Sequence, residues 1–325
     1  MKKTRLFLFL CISIFFCISC QTPDGVVHDF DNTVARALCV DDADYIYVST
    51  PTTHEIIRIP KAGGDAVSLG FTGSNLLVQG NTLYFTVRNQ AGAFAGDLYA
   101  YALSGDADPV CIASQSDSII QYYPVGEQFF VWHYLTEPAM LDAEDGTSET
   151  LPYEIYLRVT EEDSVGMDIT GIEIDEETNC YPVYRTQGAE KTHLFDFYVF
   201  YAIDPKINNY CFFDGDVMYH VSDPDGVYTF IDNTCITRVA PDADGVYHSE
   251  ILYECTDSLQ LLGVGNGNLY AQNHAGTVLY VIGTDGVCRS EVPLDPNAMC
   301  FVGNTDGLLY AVNAEDMTYQ TFGES

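Results

Sequence analysis

Apolar and polar residues alternate in short runs along most of the chain, and turns rich in glycine, aspartate and asparagine separate the runs. One phrase recurs: an apolar strand, a short turn, then an apolar residue followed by an aromatic one. The aromatic residues of this phrase are Tyr47, Tyr84, Phe130, Tyr181, Tyr219, Tyr270 and Tyr310. A period of two predicts β-strands, and no long segment has the 3.6-residue period of a helix. The pattern therefore predicts an all-β chain.

The first copy of the phrase divides into four strands. Its turns carry aspartate, proline and glycine, the residues that tight turns require. The predicted strands are Arg36 to Val40, Tyr45 to Ser49, Glu55 to Pro60 and Ala66 to Leu69.

The spacing of the aromatic residues sets the size of the repeat. Successive intervals of 37, 46, 51, 38, 51 and 40 residues each have room for four short strands, which is the length of a propeller blade. One blade cannot bury both of its faces, whereas blades stacked around an axis bury them against each other. Residues 34–325 are therefore predicted to form a β-propeller of seven blades, with six or eight as alternatives. The aromatic residues are expected to lie between neighbouring blades.

Two segments carry a resemblance to known propeller families. Tyr45 to Thr50 followed by Ile56 to Gly64 is similar to the bacterial YWTD-, NHL- and quinoprotein-like repeats, and Gly307 to Asn313 resembles a quinoprotein-type repeat. The third, fourth and fifth copies depart from the pattern, with longer gaps and the acidic stretch Glu161 to Glu177. These families include binding proteins, scaffolds and enzymes, so the resemblance implies a fold and leaves the activity open.

The N-terminus has the features of an export signal. Three basic residues precede the apolar run Leu6 to Ile18, which is too short to span a bilayer. The sequence Ser19-Cys20 after it resembles the lipobox of bacterial lipoproteins, although Cys17 stands where that family usually has leucine. The resemblance implies that residues 1–19 are a signal peptide and that Cys20 is lipidated. The alternative is an ordinary secretory signal cleaved near Ser19.

The residue after the lipidated cysteine bears on the destination of the protein. Gln21 stands there, not the aspartate that favours retention in the inner membrane, so the expected location is the bacterial outer membrane. Residues 20–33 would then be a lipid-anchored segment. Because only 15 residues follow Tyr310, enough for a third strand at Gln320 to Phe322, residues 25–30 are predicted to supply the missing outer strand of the last blade. The alternative is a flexible tether.

Charge excludes two classes of partner. Lys and Arg total 13 and Asp and Glu total 47, which gives a formal net charge of −34. Nucleic-acid binding and polybasic membrane binding both depend on Lys and Arg, so neither is expected. The acidic surface favours basic partners or cations, or it serves solubility in a salty habitat.

The loops between second and third strands are expected to share one face, around the central funnel of the propeller. Binding residues are sought there because loops on a rigid scaffold carry most binding sites. Histidines from different blades could bind a metal or act in acid–base chemistry, but such histidines need not converge, and no metal is predicted. The candidate residues of this face are His54, Arg88, His133, Glu137, Arg185 and His274.

The cysteines fit an exported protein. Cys235 with Cys255 and Cys288 with Cys300 are the candidate disulfides, although eight cysteines outside the N-terminal segment allow many pairings. The alternative is that most are reduced and buried in the β-core. None forms a CxxC pair, so a zinc site is not expected.

No catalytic motif was found. The sequence lacks a GxSxG elbow, an HExxH motif, a Walker loop and a GxGxxG that opens a helix, and its Asp-Gly pairs are interpreted as hairpin turns. The prediction is a monomeric, lipid-anchored binding module without a cofactor, whose partner is an unknown protein or small ligand. One alternative is a propeller hydrolase or lyase that uses His54, His133 and Glu137. The other is an envelope assembly scaffold.

Overall fold

Every described strand of the computed structural model belongs to an antiparallel sheet, and there are seven such sheets. The model describes residues 38–87, 96–104, 107–114, 119–133, 138–142, 147–151, 155–168, 178–200, 211–229 and 232–323. Six sheets have four strands and the seventh has three among these residues. In each sheet the strands are hydrogen-bonded in chain order. Each sheet is one blade of a seven-bladed β-propeller.

Short strands and tight turns build the first three blades. Blade 1 consists of β1 (Cys39–Asp41), β2 (Tyr45–Ser49), β3 (Glu55–Pro60) and β4 (Val67–Thr72). Blade 2 consists of β5 (Ser74–Gln79), β6 (Thr82–Val87), β7 (Asp97–Ala102) and β8 (Val110–Ala113). Blade 3 consists of β9 (Ile119–Val125), β10 (Gln128–His133), β11 (Ala139–Asp142) and β12 (Ser148–Thr150).

The remaining blades include the longest strands. Blade 4 consists of β13 (Ile155–Val159), β14 (Ser164–Met167), β15 (Thr178–Gln187) and β16 (Glu190–Phe200). Blade 5 consists of β17 (Cys211–Asp214), β18 (Val217–Ser222), β19 (Cys235–Pro241) and β20 (Tyr247–Glu254). Blade 6 consists of β21 (Leu259–Gly265), β22 (Asn268–Asn273), β23 (Val278–Gly283) and β24 (Cys288–Pro293), and blade 7 of β25 (Ala298–Val302), β26 (Leu309–Asn313) and β27 (Tyr319–Phe322).

These sheets confirm the predicted all-β propeller and its seven blades. The second and third strands of blade 1 have the predicted bounds, while its outer strand runs to Thr72. The predicted outer strand of blade 7, at residues 25–30, lies outside the described residues. No helix among the described residues is long and apolar enough to cross a bilayer.

Six of the seven aromatic residues of the repeat lie in the second strand of a blade, and Tyr181 is the exception. The prediction for blade 4 was wrong because its second strand is β14, whose four residues include no aromatic. Tyr181 lies in the third strand, β15, which pairs with β16 in a hairpin of 10 and 11 residues. This hairpin is longer than the spacing of the repeat allows, so in blade 4 the apolar residue and the aromatic residue of the repeat fall in the third strand and not in the second.

Aromatic side chains fill the space between blades, as predicted. Tyr47 is 1% exposed and belongs to one apolar cluster with Leu76 and Leu83 of blade 2. Tyr310 belongs to a cluster with Leu38 and Ile46, so blade 7 packs directly on blade 1. The core of the protein is therefore a series of inter-blade layers, and burial of the large rings in these layers stabilises the ring of blades.

Polar contacts also join the first and last blades. The Asp41 carboxylate, at the end of β1, is fully buried and accepts a hydrogen bond from Lys61 Nζ at 2.6 Å. It also accepts hydrogen bonds from the Asn304 backbone N–H (2.7 Å) and the Thr305 hydroxyl (3.1 Å) of blade 7. The Tyr319 hydroxyl donates to the Lys61 carbonyl oxygen at 2.9 Å. We call Asp41, Lys61 and their blade 7 partners the seam.

Glycine allows blades 6 and 7 to approach closely. A Cβ atom added at Gly265 would lie 2.5 Å from the Gly307 carbonyl oxygen, and one added at Gly263 would lie 2.5 Å from Val302 Cγ2. Neither glycine has a positive φ, so the backbone conformation does not require glycine. A residue without a side chain is needed because the neighbouring blade lies so close. Gly263 and Gly265 thus serve the packing of blade 6 against blade 7.

Candidate functional site

Two of the histidines predicted for the funnel face lie in loops of the expected kind. His54 ends the loop between β2 and β3, and His274 lies in the loop between β22 and β23. His54 has a φ of 55°, a left-handed conformation that is uncommon for a residue with a side chain. The backbone of His133 ends β10, as expected, but its side chain lies outside the described residues. So do Arg88 and Glu137.

Arg185 does not share this face, so its predicted position was wrong. It lies in the third strand of blade 4 near the turn to β16, at the opposite end of the strands from the second-to-third loops. The error follows from the misplaced Tyr181, because taking β15 for a second strand reverses the face assigned to the next loop. The binding roles of the six candidate residues stay predictions.

Arg185 belongs instead to an ion-pair cluster between blades 4 and 5. Its Nη2 lies 2.5 Å from Asp216 Oδ1, and its Nε lies 3.1 Å from Asp163 Oδ2. Arg158 also approaches Asp163, at 3.1 Å, and donates a hydrogen bond to the Gly215 carbonyl oxygen at 2.7 Å. The two arginines and two aspartates balance in charge. Because Asp163 lies in the turn between β13 and β14 and Asp216 in the turn between β17 and β18, the cluster joins the turns after the first strands of blades 4 and 5.

A cleft of about 300 Å³ lies between the outer strand of blade 4 and blade 5. We call it the blade 4–5 cleft. Its walls are formed by β16, by β18 to β20, and by the loop that connects β18 with β19. The residues that line it are Phe195, Asp196, Phe197, Tyr198, His220, Pro224, Asp225, Gly226, Thr237, Val239, Ser249, Glu250 and Ile251.

One wall of the blade 4–5 cleft is a loop fixed at both of its sides. The Asp223 carboxylate accepts hydrogen bonds from the backbone N–H groups of Asp225 and Val227, each at 2.9 Å. Farther along, the Tyr228 N–H donates to the Tyr198 carbonyl oxygen at 2.9 Å, and Val199 and Tyr228 form a parallel bridge. The loop of blade 5 is thereby attached to the edge of blade 4, so this wall is preformed.

The interior of the cleft is aromatic and contains a buried histidine. His220 is 3% exposed and its ring meets the ring of Phe197 edge-on, with centroids 4.8 Å apart. His220 Nδ1 lies 2.9 Å from the Val221 carbonyl oxygen. A carbonyl can only accept, so Nδ1 carries the proton and Nε2 is the acceptor nitrogen of the neutral ring. Burial lowers the pKa of His220 to about 4, so the ring is neutral near pH 7.

The mouth of the cleft exposes apolar surface. Tyr198 is 47% exposed and Ile251 is 43% exposed, on the outer strands of the two blades. Both are among the few large apolar residues exposed in the described part of the chain. A second cleft, of about 270 Å³, lies beside the ion-pair cluster and is lined by Leu194 and Tyr247 among others. Exposed apolar residues next to a concave surface are typical of binding sites.

Buried His220 gives the stability of the protein a pH dependence that can be measured. Its pKa is about 4 in the folded protein and 6.5 in an unfolded chain, so below about pH 6.5 the unfolded chain binds the proton more readily. Stability from this residue is therefore lost as the pH falls. Between about pH 7.5 and about pH 5 the loss should be about 2 kcal/mol. Urea unfolding of wild type and His220→Phe at both pH values measures it.

The comparison concerns the change with pH in each protein, because the substitution also alters packing against Phe197. Carboxylates contribute equally to both proteins, so their titration cancels. We expect the pH-dependent loss to be about 2 kcal/mol smaller in His220→Phe. Equal losses in the two proteins would contradict the assignment of a buried neutral histidine.

The Asp-Gly sequences at residues 225–226 and 244–245 are turns, as predicted. Gly226 and Gly245 both have a φ of 81°, and each donates its N–H to the carbonyl oxygen of the aspartate three residues earlier. Asp223 and Asp242 use their side chains on backbone N–H groups of their own loops. Within the described residues no three potential metal-binding side chains form a group.

The eight cysteines outside the N-terminal segment are free thiols in the structure. Cys300 is buried and burial raises its pKa to about 12, which makes this thiol a poor nucleophile. Burial also raises the pKa of Cys235 and of Cys255. The bridges Cys235–Cys255 and Cys288–Cys300 remain predictions.

Many solved structures share this architecture, and the three that follow are distant from this chain in sequence. The β-propeller domain of Cps50 (Swd1) from Myceliophteria thermophila is 10% identical, with a TM-score of 0.57 over 89% of this chain and 97% of that one. The N-terminal domain of Nup159 is 9% identical, with a TM-score of 0.54 over 91% and 92%. A chain of the mitotic checkpoint complex is 8% identical, with a TM-score of 0.55 over 90% of each chain.

These similarities establish the propeller fold and nothing finer. No protein-family model matches the sequence, and no curated protein matches it either. The predicted resemblance to lipoproteins and to particular repeat families therefore stays an expectation. The chain is a seven-bladed β-propeller.

Proposed function

We propose that this chain is a lipid-anchored binding module outside the cytoplasm, which takes a protein partner in the blade 4–5 cleft. The observation that carries the proposal is the exposure of Tyr198 and Ile251 at the mouth of a preformed cleft. Large apolar side chains cost free energy in water, and burying them against a partner recovers it. A rigid scaffold with such a surface supports binding without rearrangement of the blades.

Solved relatives of the fold support a role in protein association. Similar chains occur in a complex of S. cerevisiae Dbp5 with Nup159 and Gle1 and in the mitotic checkpoint complex. The similarity in fold supports a binding role for this chain. The function of a propeller depends on the sites on its surface.

The proposed anchor is a lipid on Cys20. Basic residues, an apolar run and Ser19-Cys20 support signal cleavage and acylation. One acyl chain holds a protein weakly, whereas two or more give stable anchoring. Gln21 supports the outer membrane as the destination. The propeller would then meet its partner at the cell envelope.

One experiment in cells that express the tagged full chain tests both parts of the proposal. The cells are fed a palmitate analogue, treated with a cross-linker and fractionated, and the chain is captured from the membranes. We expect label on the wild type and none on Cys20→Ala. We also expect a cross-linked partner that Tyr198→Ser with Ile251→Ser no longer captures. The matched control is Val110→Ser with Val287→Ser, which removes two exposed valines from blades 2 and 6.

Label on Cys20→Ala equal to that on the wild type would contradict the anchor. Capture of the same partner by the Tyr198→Ser, Ile251→Ser protein would contradict the cleft as the site. If the captured partner is an outer-membrane assembly, the binding role is that of an envelope scaffold.

A further inference from the structure

Ionic and polar groups around the blade 4–5 cleft restrict what it can bind. Asp196, Asp225 and Glu250 line it, and no lysine or arginine is among the described residues that do. Two of the carboxylates already have exposed partners, since Asp196 lies 2.9 Å from His193 Nε2 and Glu250 lies 2.5 Å from Arg238 Nη1. Asp225 lies exposed in the loop wall. The three carboxylates outnumber the one arginine beside them, so the rim carries negative charge, and the chain as a whole has a net charge of −34.

Inside the cleft the buried polar group is also an acceptor. His220 directs its one ring N–H to the Val221 carbonyl oxygen, so the remaining ring nitrogen can only accept a hydrogen bond while the ring is neutral. The Thr237 hydroxyl is engaged with Ser222 at 2.7 Å. A ligand that brings N–H donors complements these groups, whereas an anion would meet acceptors inside and carboxylates outside.

Aromatic rings supply the remaining recognition chemistry. Phe195, Phe197 and Tyr198 lie on β16, and all three line the cleft. The negative faces of aromatic rings attract ammonium and guanidinium groups, most strongly where water is excluded. The methylene stem of a lysine or arginine also packs on apolar walls while its charged end reaches polar groups. Ile251, across the mouth, offers such a wall.

We propose that the blade 4–5 cleft binds a lysine- or arginine-bearing segment of the partner protein, with the cationic side chain among the aromatic rings and the acidic rim around it. The inference rests on the proposed binding function and names the chemistry of the partner. The volume of about 300 Å³ is at the lower end of ligand sites, which suits one or two side chains of an extended segment. Charge of opposite sign on the two partners would also speed their association.

The test uses the full chain and a fluorescent pentapeptide of alternating leucine and lysine. Two control peptides replace the lysines with glutamate or with uncharged norleucine. Fluorescence anisotropy at low and high salt gives the affinities. We expect the lysine peptide to bind at least about tenfold more tightly than either control, and salt to weaken its binding.

Matched variants locate the effect. Asp196→Asn with Asp225→Asn removes two rim charges and should weaken binding of the lysine peptide about tenfold. Asp65→Asn with Asp108→Asn removes the same charge from exposed positions on blades 1 and 2, and should leave the affinity unchanged. Circular dichroism and urea unfolding of both variants show that neither loses the fold.

Each outcome bears on the inference separately from the proposed function. Equal affinity for the lysine, norleucine and glutamate peptides overturns the cationic specificity, while partner capture that depends on Tyr198 and Ile251 would still support the binding module. An equal loss of affinity in the two pairs of variants would assign the effect to net charge and overturn the site. No binding of the lysine peptide at about 1 mM overturns the inference as well.

Discussion

Replacing Lys61 with methionine is expected to lower the free energy of unfolding by about 3 kcal/mol. The substitution removes the cation from Asp41, whose carboxylate is fully buried at the seam and 2.6 Å from Lys61 Nζ. The two hydrogen bonds from Asn304 and Thr305 remain, but they do not neutralise the charge. Urea unfolding followed by tyrosine fluorescence or circular dichroism measures the change.

The double variant Asp41→Asn, Lys61→Met is compared with Lys61→Met alone. Because the asparagine is neutral, no buried charge is left without a counter-ion, and breaking one partner of a buried pair costs more than replacing both. We expect the double variant to be more stable than Lys61→Met alone. A double variant less stable than the single one would mean that the hydrogen bonds from Asn304 and Thr305 to the Asp41 carboxylate outweigh the cost of leaving its charge without a counter-ion.

Replacing Tyr47 with alanine is expected to cost about 3 to 5 kcal/mol. The ring is 1% exposed and packs in the apolar layer between blades 1 and 2, so its removal leaves a cavity that rigid neighbouring strands can fill only in part. Its hydroxyl also donates a hydrogen bond to Asp42 Oδ2 at 2.7 Å. Chemical unfolding at pH 7 measures the loss.

Tyr47→Phe separates the ring from the hydroxyl. Phenylalanine keeps the ring and loses the hydrogen bond to Asp42, which should cost about 1 kcal/mol. If Tyr47→Phe destabilised the protein as much as Tyr47→Ala, the hydrogen bond would be the main contribution and the inter-blade layer would matter less than the burial of the ring indicates.

The propeller could be predicted from the sequence because its repeat is local. Each blade places an apolar strand, a turn and an aromatic side chain in consecutive positions, as at Tyr47, Tyr270 and Tyr310, so the spacing alone sets the number of blades. Blade 4 was read wrongly because Tyr181 also follows a polar stretch of sequence, and the pattern does not distinguish a second from a third strand. Only the pairing of β14 with β13 and β15 makes that distinction.

The blade 4–5 cleft could not be predicted in the same way. Its walls come from β16 and from β18 to β20, and the loop wall is held by a bridge between Val199 and Tyr228, residues that no motif links. The sequence did contain two signals. One is the run Phe195 to Tyr198, which places aromatic residues on both faces of a strand, although a strand with a single buried face needs them on one face only. The other is His220 inside an apolar strand, but the sequence pattern around it is the same as that around an ordinary core histidine.

The seam joins residues that are far apart in the chain. Asp41 and Thr305 are 264 positions apart in the chain, whereas contacts within a blade join residues a few tens of positions apart. Closing so large a loop carries an entropic cost that local hairpins avoid. Blades should therefore form first and the circle should close late. Contacts made after the transition state govern the unfolding rate more than the folding rate, so we expect changes at the junction of blades 1 and 7 to alter the lifetime of the native protein.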